Sequence, residues 1–416
     1  MKKQNLLWLL LVNFLLLSGC QVQVVALPTL IPVAALPDEA NTNNGNVPPT
    51  WTPLPQTDPP TPAPTLPAIT PSPTSTPLPL PTNTAVPPTL TPTPTETAVP
   101  NQSPQSPAPD IRPIDQYSYT EVIPLEAWPR PANDNGWGMH WIPTNKQDPG
   151  TVDRFVAEMV RMNIKWVVFL NDGANIGDND YLVDRLVANG IMPVMRLYHP
   201  TVEPYSGDIG AMVRHYRARG VYYYQLYNEP NINVENRQGF IDPYRYSLVW
   251  SVAARRVISA GGLPGLGALS PGGEYEHNEF LDRTIRNILH NGDGHLLNRT
   301  WLSVHNYHGT RPLDDPGGFL LFRRYNEIVE SHLGRPMPMI GTEGGSYHPD
   351  PQVELQLNRH HYIYMRTAEP YFFAYSHWLL ANYEGGGFDE AWEWQSLFRA
   401  GFVHPLVTEF FYNNSR

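Results

Sequence analysis

The chain holds a single cysteine, Cys20, in 416 residues, so no intrachain disulfide can staple any part of it. Charge is sparse too. The 28 Lys and Arg stand against 39 Asp and Glu, a formal net charge of −11. That balance excludes a general nucleic-acid surface or electrostatic attraction to an anionic bilayer, and it leaves neutral substrates open. No G-x-G-x-x-G follows the first strand-like run, which removes the commonest dinucleotide signature. His305 and His308 are three apart and His360-His361 form a doublet. A metal site needs three or four converging ligands, and no spacing here demands one. Neither a metal nor another cofactor is expected.

What is present falls into three compositions. Lys2 and Lys3 precede an apolar run over 6–17, which ends in Leu17-Ser18-Gly19-Cys20. The run is too short for a comfortable membrane span and closes on small residues, as a secretory leader does. Its ending resembles the bacterial lipobox, in which the cysteine becomes the lipidated first residue of the mature protein. Acylation of Cys20 would then anchor the chain in a bilayer. Residues 1–20 are read as leader and 21–116 as linker. About 26 of the 46 prolines fall between Leu27 and Pro113, interleaved with Thr, Ala, Ser and Leu. Proline removes a backbone donor and extends its predecessor, so neither helix nor sheet propagates. Fully extended at about 3.1 Å per residue, such a spacer reaches on the order of 250 Å.

From 117 to 416 the pattern alternates between short apolar runs and longer stretches with one-sided helical periodicity. The strands are expected at 137–141, 165–170, 192–198, 221–227, 265–270, 301–306, 337–342 and 371–379. Helices are expected near 152–160, 181–188, 212–219, 244–260, 280–289, 319–332 and 353–368, with a closing helix at 405–412. Eight near-continuous apolar strands separated by helices indicate parallel strands covered on the outside. The fold expected is α/β, a (β/α)8 TIM barrel, in preference to an open doubly wound sheet.

Two of these strands end on a glutamate. VYYYQLYNEP places Asn228 and Glu229 before Pro230, and MPMIGTEGG places Glu343 before Gly344 and Gly345. Both carboxylates therefore lie where a buried strand gives way to a loop, the face of a parallel barrel that carries chemistry. Two acids there, from strands four and seven, are what glycoside hydrolysis requires. Taken singly, either glutamate reads as a solvated loop residue; taken together they read as a pair.

With these residues in view, the domain resembles clan A of the glycoside hydrolases, most closely the cellulase-like family 5 and related families. The resemblance implies that Glu229 is the acid/base and Glu343 the nucleophile. His305-Asn306-Tyr307 is similar to the clan's His-x-Tyr, which implies His305 beside the acid/base and a Tyr307 hydroxyl on the nucleophile. Trp378 matches the tryptophan flooring the reacting subsite, or else it fills a barrel layer; Asn228, a neutral amide with both donor and acceptor, is itself suited to holding a sugar hydroxyl. Cellulase-like members carry an arginine on strand two and a histidine on strand three. Here strand two ends in Asn171-Asp172 and strand three offers Arg196 and His199. Arg196 is expected to pair with the nucleophile or to form a structural ion pair.

The function expected is a retaining glycosidase acting on O-glycosidic bonds of a poly- or oligosaccharide, outside the cell and held at the membrane. Glu229 is expected to keep its proton through burial and nearby negative charge. The chain is read as a monomer with a carbohydrate partner and no nucleic-acid partner. The competing reading is a surface lipoprotein that binds glycans on the same barrel without catalysis. Glu203, Glu235, Glu274, Glu276, Glu384 and Glu390 are further loop carboxylates, each a decoy or a substrate contact. Trp392 and Trp394 are either an aromatic wall or core packing.

Overall fold

In the computed structural model, residues 111–146, 148–237, 239–346, 348–382 and 390–414 are described. Cys20, most of the linker and the loop carboxylate Glu384 lie outside them. The strands are β1 (Trp137–His140), β2 (Trp166–Asp172), β3 (Met192–Tyr198), β4 (Tyr223–Leu226), β5 (Leu263–Leu269), β6 (Trp301–His305), β7 (Met339–Glu343) and β8 (Phe372–His377). They pair in sequence order, all parallel, and β8 closes on β1. The expected TIM barrel is the fold. Between them run α1 (Pro149–Arg161), α2 (Asp180–Ala188), α3 (Ile209–Arg217), α4 (Pro243–Ser259), α5 (His277–His290), α6 (Leu321–Leu333) and α7 (Pro351–Tyr364).

Three helices start on the same local device, an aspartate followed by proline. Asp148, Asp242 and Asp350 cap α1, α4 and α7 by accepting from backbone N–H groups, and a proline occupies the first helical position of each. The carboxylate satisfies an orphan donor, and proline has no donor to leave unsatisfied. Boundaries shift from the sequence pattern for similarly local reasons. The seventh strand begins at Met339 rather than 337 because Pro338 has no N–H to enter the ladder; its carbonyl still accepts from Leu302 N at 2.8 Å. The closing segment, expected as an ordinary helix, is wound as a π-helix over Leu406–Phe411.

The barrel interior is shut at its N-terminal end by aromatic side chains from alternate strands. Trp166, Tyr223, Trp301 and Phe373 come from β2, β4, β6 and β8, and they form one layer of four. Tyr223 lies 5.6 Å from Trp166 and 5.9 Å from Trp301 between ring centroids. Beneath this layer the segment before β1 acts as a plug. Ile114, Tyr117, Ile123 and Trp128 are buried against it, and Trp128 stacks 6.4 Å from Tyr223. The packed chain thus begins slightly ahead of Tyr117. Of the tyrosines at 222–224, Tyr223 and Tyr224 are both fully buried, on opposite faces of β4; the Tyr224 hydroxyl lies against Val213 O of α3 and Val221 O just before β4.

Between β8 and α7 lies a buried polar cluster. His361 stacks on Phe319 at 4.3 Å, meets the His308 ring at 4.0 Å and shares a hydrogen bond of 3.2 Å with Tyr375 Oη. His404 Nε2 meets Glu354 Oε2 at 3.0 Å nearby. Burial lowers the proton affinity of His308 and His377, to about 3 for each, and puts His361 well below its usual range. Their folded values lie below the unfolded value, so below about pH 6.5 the unfolded chain binds the extra protons and the fold loses stability as pH falls. Each such histidine is expected to cost about 2 kcal/mol between pH 6.5 and 5. Urea midpoints at pH 7 and pH 5 should therefore separate widely. Coincident midpoints would contradict the neutral, buried state of these rings.

Candidate active site

The site is built at the C-terminal ends of β1, β3, β4, β6, β7 and β8. Beyond Leu226 the chain leaves extended geometry at once: Tyr227 and Glu229 both have positive φ, 62° and 35°. Non-glycine residues adopt this region only when their surroundings hold them there. Here Glu229 N donates to Ala268 O at 2.8 Å, and Ala268 is itself left-handed with φ 59°. Asn231 clamps the same turn. Its Oδ1 accepts from Ser270 N, and its Nδ2 donates to Ser270 O and Tyr275 O. The β4 loop is thereby fixed to the end of β5, and the Glu229 side chain is buried.

Glu343 is the last residue of β7 and is also buried. The residues after it must be small. A Cβ on Gly344 would come within 2.5 Å of the Tyr375 ring, and Gly345 has φ 147°.

The two glutamates meet through one imidazole. His305, at the end of β6, places Nδ1 2.9 Å from Glu229 Oε1 and Nε2 3.6 Å from Glu343 Oε1. Arg196 Nη1 donates to Glu343 Oε1 at 2.5 Å, and Tyr307 Oη donates to Glu343 Oε2 at 2.7 Å. Burial alone would raise the Glu343 carboxyl. The positive charges of His305 and Arg196 and the Tyr307 hydrogen bond outweigh it, so Glu343 is held below the usual carboxylate range and ionised. Burial likewise opposes charge on His305, but Glu343 and the hydrogen bond to Glu229 outweigh it and raise its proton affinity. Arg196 stands in an ion pair with a barrel-top carboxylate rather than in a peripheral one.

Trp378 follows β8, joined to Leu379 by a cis peptide, and its N–H donates to Gly344 O at 2.8 Å. Its ring packs 4.3 Å from His140 and edge-on to Trp392 at 5.4 Å, with Tyr307 against the same cluster. Trp392 is thus buried against Trp378, whereas Trp394 is exposed. His140, at the end of β1, was not singled out by sequence reasoning. Its Nδ1 lies 2.8 Å from Trp141 O, and since a carbonyl can only accept, that nitrogen carries the proton. Burial pulls its proton affinity down to about 4, so the ring is neutral and Nε2 presents a lone pair. The signal available was a histidine ending the first apolar strand.

Other candidates separate from the pair. His199 turns to its own loop, with Nδ1 2.6 Å from Thr201 O. Asn171 holds the loop after β2 through Gly173 O, Asn175 O and Asn179, while Asp172 is exposed. Glu203 pairs with Arg245, Glu274 accepts from Asn233 N, and Glu276 caps α5. Glu235 alone of these loop carboxylates joins the site: Asn228 Nδ2 donates to its Oε1 at 2.9 Å. The Glu390 side chain lies outside the described residues.

No family model matches the chain, and no curated protein does. Several solved structures are similar. An endo-β-1,3-glucanase of glycoside hydrolase family 128 (subgroup II) from Pseudomonas viridiflava is 13% identical over 67% of this chain and 97% of that one, with a TM-score of 0.47. The corresponding enzyme from Sorangium cellulosum is 15% identical over 67% and 98%, also at 0.47. A family 39 glycoside hydrolase from Bacteroides cellulosilyticus WH2 is 14% identical over 69% of this chain and 63% of that one, again at 0.47. The barrel is established independently of them by its own strand pairing.

Removing one partner of a buried ion pair leaves an uncompensated charge. Arg196→Ala is expected to lower stability by about 3 kcal/mol at neutral pH. The loss should shrink in acid, where an unpaired, buried Glu343 takes up a proton. Urea denaturation at both pH values checks this; an unchanged stability at neutral pH would show that the pair carries no such burden.

Proposed function

We propose that the chain is a retaining glycoside hydrolase acting on O-glycosidic bonds of a poly- or oligosaccharide. The observation that supports this best is the single His305 ring in contact with both Glu229 and Glu343. It places both carboxyl groups beside one imidazole at the C-terminal end of the barrel. Retention, in which one carboxylate attacks directly, requires the shorter of the two separations known for glycosidases.

The roles follow from the surroundings. Glu343, ionised and held by Arg196 and Tyr307, attacks the anomeric carbon as the bond to the leaving oxygen breaks. Glu229 gives that oxygen its proton. In the second step a water attacks the anomeric carbon, Glu229 takes the water's proton, and Glu343 departs as a carboxylate. Trp378 supplies an apolar ring for the C–H face of the sugar. Neutral His140, with Nε2 free of any partner among the described residues, accepts from a hydroxyl. Arg196 and Tyr307 also hold the departing carboxylate in place for the next cycle.

The test is turnover on a panel of glycans by the wild type and by the Glu229→Ala and Glu343→Ala variants. Each substitution is expected to lower kcat by about 10³-fold or more. Near-normal rates in either variant would remove that residue from the mechanism. Tight binding of an oligosaccharide with no turnover by the wild type would favour a glycan-binding lipoprotein instead.

In the same reading Cys20 is acylated, and residues from 21 to about 110 form a stalk that carries the barrel away from the membrane. The wild type should then partition into the detergent phase of a cloud-point extraction and Cys20→Ser should not. Equal partitioning of the two would exclude the anchor.

A further inference from the structure

Glu235 is a third carboxylate of this site, and neither step above uses it. It closes the short turn Asn233–Glu235, which is firmly anchored. Val202 N donates to Glu235 O at 3.1 Å, and Asn236 Nδ2 donates to Pro230 O and Ile232 O at 3.0 and 2.7 Å. The turn brings Glu235 back onto Asn228, seven residues earlier, so that Asn228 Nδ2 donates to Glu235 Oε1 at 2.9 Å. The other end of that amide, Asn228 Oδ1, is buried and has no partner among the described residues.

An amide side chain can be turned over with little change of shape, which exchanges a donor for an acceptor. A carboxylate can only accept. Facing an ionised Glu235, Asn228 has one allowed orientation, because the reverse would press Oδ1 against carboxylate oxygens. We infer that Glu235 is a positioning residue that fixes the Asn228 amide with Oδ1 turned toward the reacting sugar, so that the sugar hydroxyl bound there must donate. This rests on the glycosidase reading and adds a hydroxyl-orientation rule to it.

The lock is titratable. A protonated Glu235 can donate to Oδ1 and so permits the reversed amide. Burial pushes the Glu235 carboxyl up to about 7, against the Asn228 hydrogen bond and the charge of Arg196; Glu229 and Glu343 push in the same direction as burial. Those are the charges that face it. Tyr198, at the end of β3, and Tyr205, in the loop after it, feel Glu235 as well, but burial raises both phenols and keeps them neutral. The amide is therefore free to reverse below neutral pH and held above it.

The test uses the full chain labelled with ¹⁵N-asparagine, with the Asn228 side-chain amide assigned by its loss in Asn228→Asp. Followed between about pH 5 and 9, this resonance should titrate with a midpoint near 7 in the wild type and not in Glu235→Gln. A flat wild-type response, or the same titration persisting in Glu235→Gln, would overturn the inference. On a glycan that is turned over, Glu235→Gln should lower kcat/KM about 10-fold at alkaline pH and leave it unchanged in acid, where the wild-type lock is already released. An equal loss at every pH would mark a merely structural role and also overturn it. A wild type that turns over no glycan would sink the glycosidase reading, and the amide titration would still decide this one.

Discussion

The constraint on which the rest depends is one buried negative charge. Glu343 sits at the end of β7 with its side chain out of solvent, where an isolated carboxylate would neutralise itself. It stays ionised because three groups from two other strand ends converge on it: Arg196 from β3, and His305 and Tyr307 from β6 and the residue pair beyond it. Residues so distant in sequence reach one point because the closed barrel brings the ends of all its parallel strands to one rim. The aromatic layer and its N-terminal plug fill the opposite end.

The same geometry gives two chemically identical side chains different surroundings. Glu343 is met by a guanidinium and a phenol as well as by the imidazole, whereas among the described residues the Glu229 carboxyl meets only His305. A carboxylate braced by donors is suited to attack and departure. One whose second oxygen is unengaged is suited to passing a proton. The left-handed turn that carries Glu229 is the structural counterpart of this division. It takes two backbone residues with positive φ and the Asn231 clamp to aim that side chain back over the barrel.

The fold was legible in the sequence because strands buried on both faces leave continuous apolar runs, and eight such runs alternate with one-sided helical stretches. Helix starts were legible to a finer degree than we read them, in the repeated Asp-Pro at 148–149, 242–243 and 350–351. Glu229 and Glu343 could be named because each closes or follows a strand, and in a parallel barrel position along a strand sets depth; His305, Tyr307 and Trp378 were named through the resemblance to clan A, and Arg196 as the cation that strand three offers in that comparison. His140 obeys the same rule and escaped notice because one histidine in Trp-Gly-Met-His-Trp reads as core. Glu235 could not be told from Glu203, Glu274 and Glu276 by position at all. What separates it is the path of a loop, set by backbone hydrogen bonds through Val202 and Asn236, and such bonds leave no periodic trace in sequence.

The most direct measurement of the central claim is the anomeric configuration of the first sugar released, followed by ¹H NMR before mutarotation on a glycan that the proposed activity is found to cleave. Direct attack by Glu343 and departure through water predicts retention of the substrate's configuration. Inversion would mean that the two carboxylates activate water across a wider gap, and would contradict the assignment of Glu343 as nucleophile.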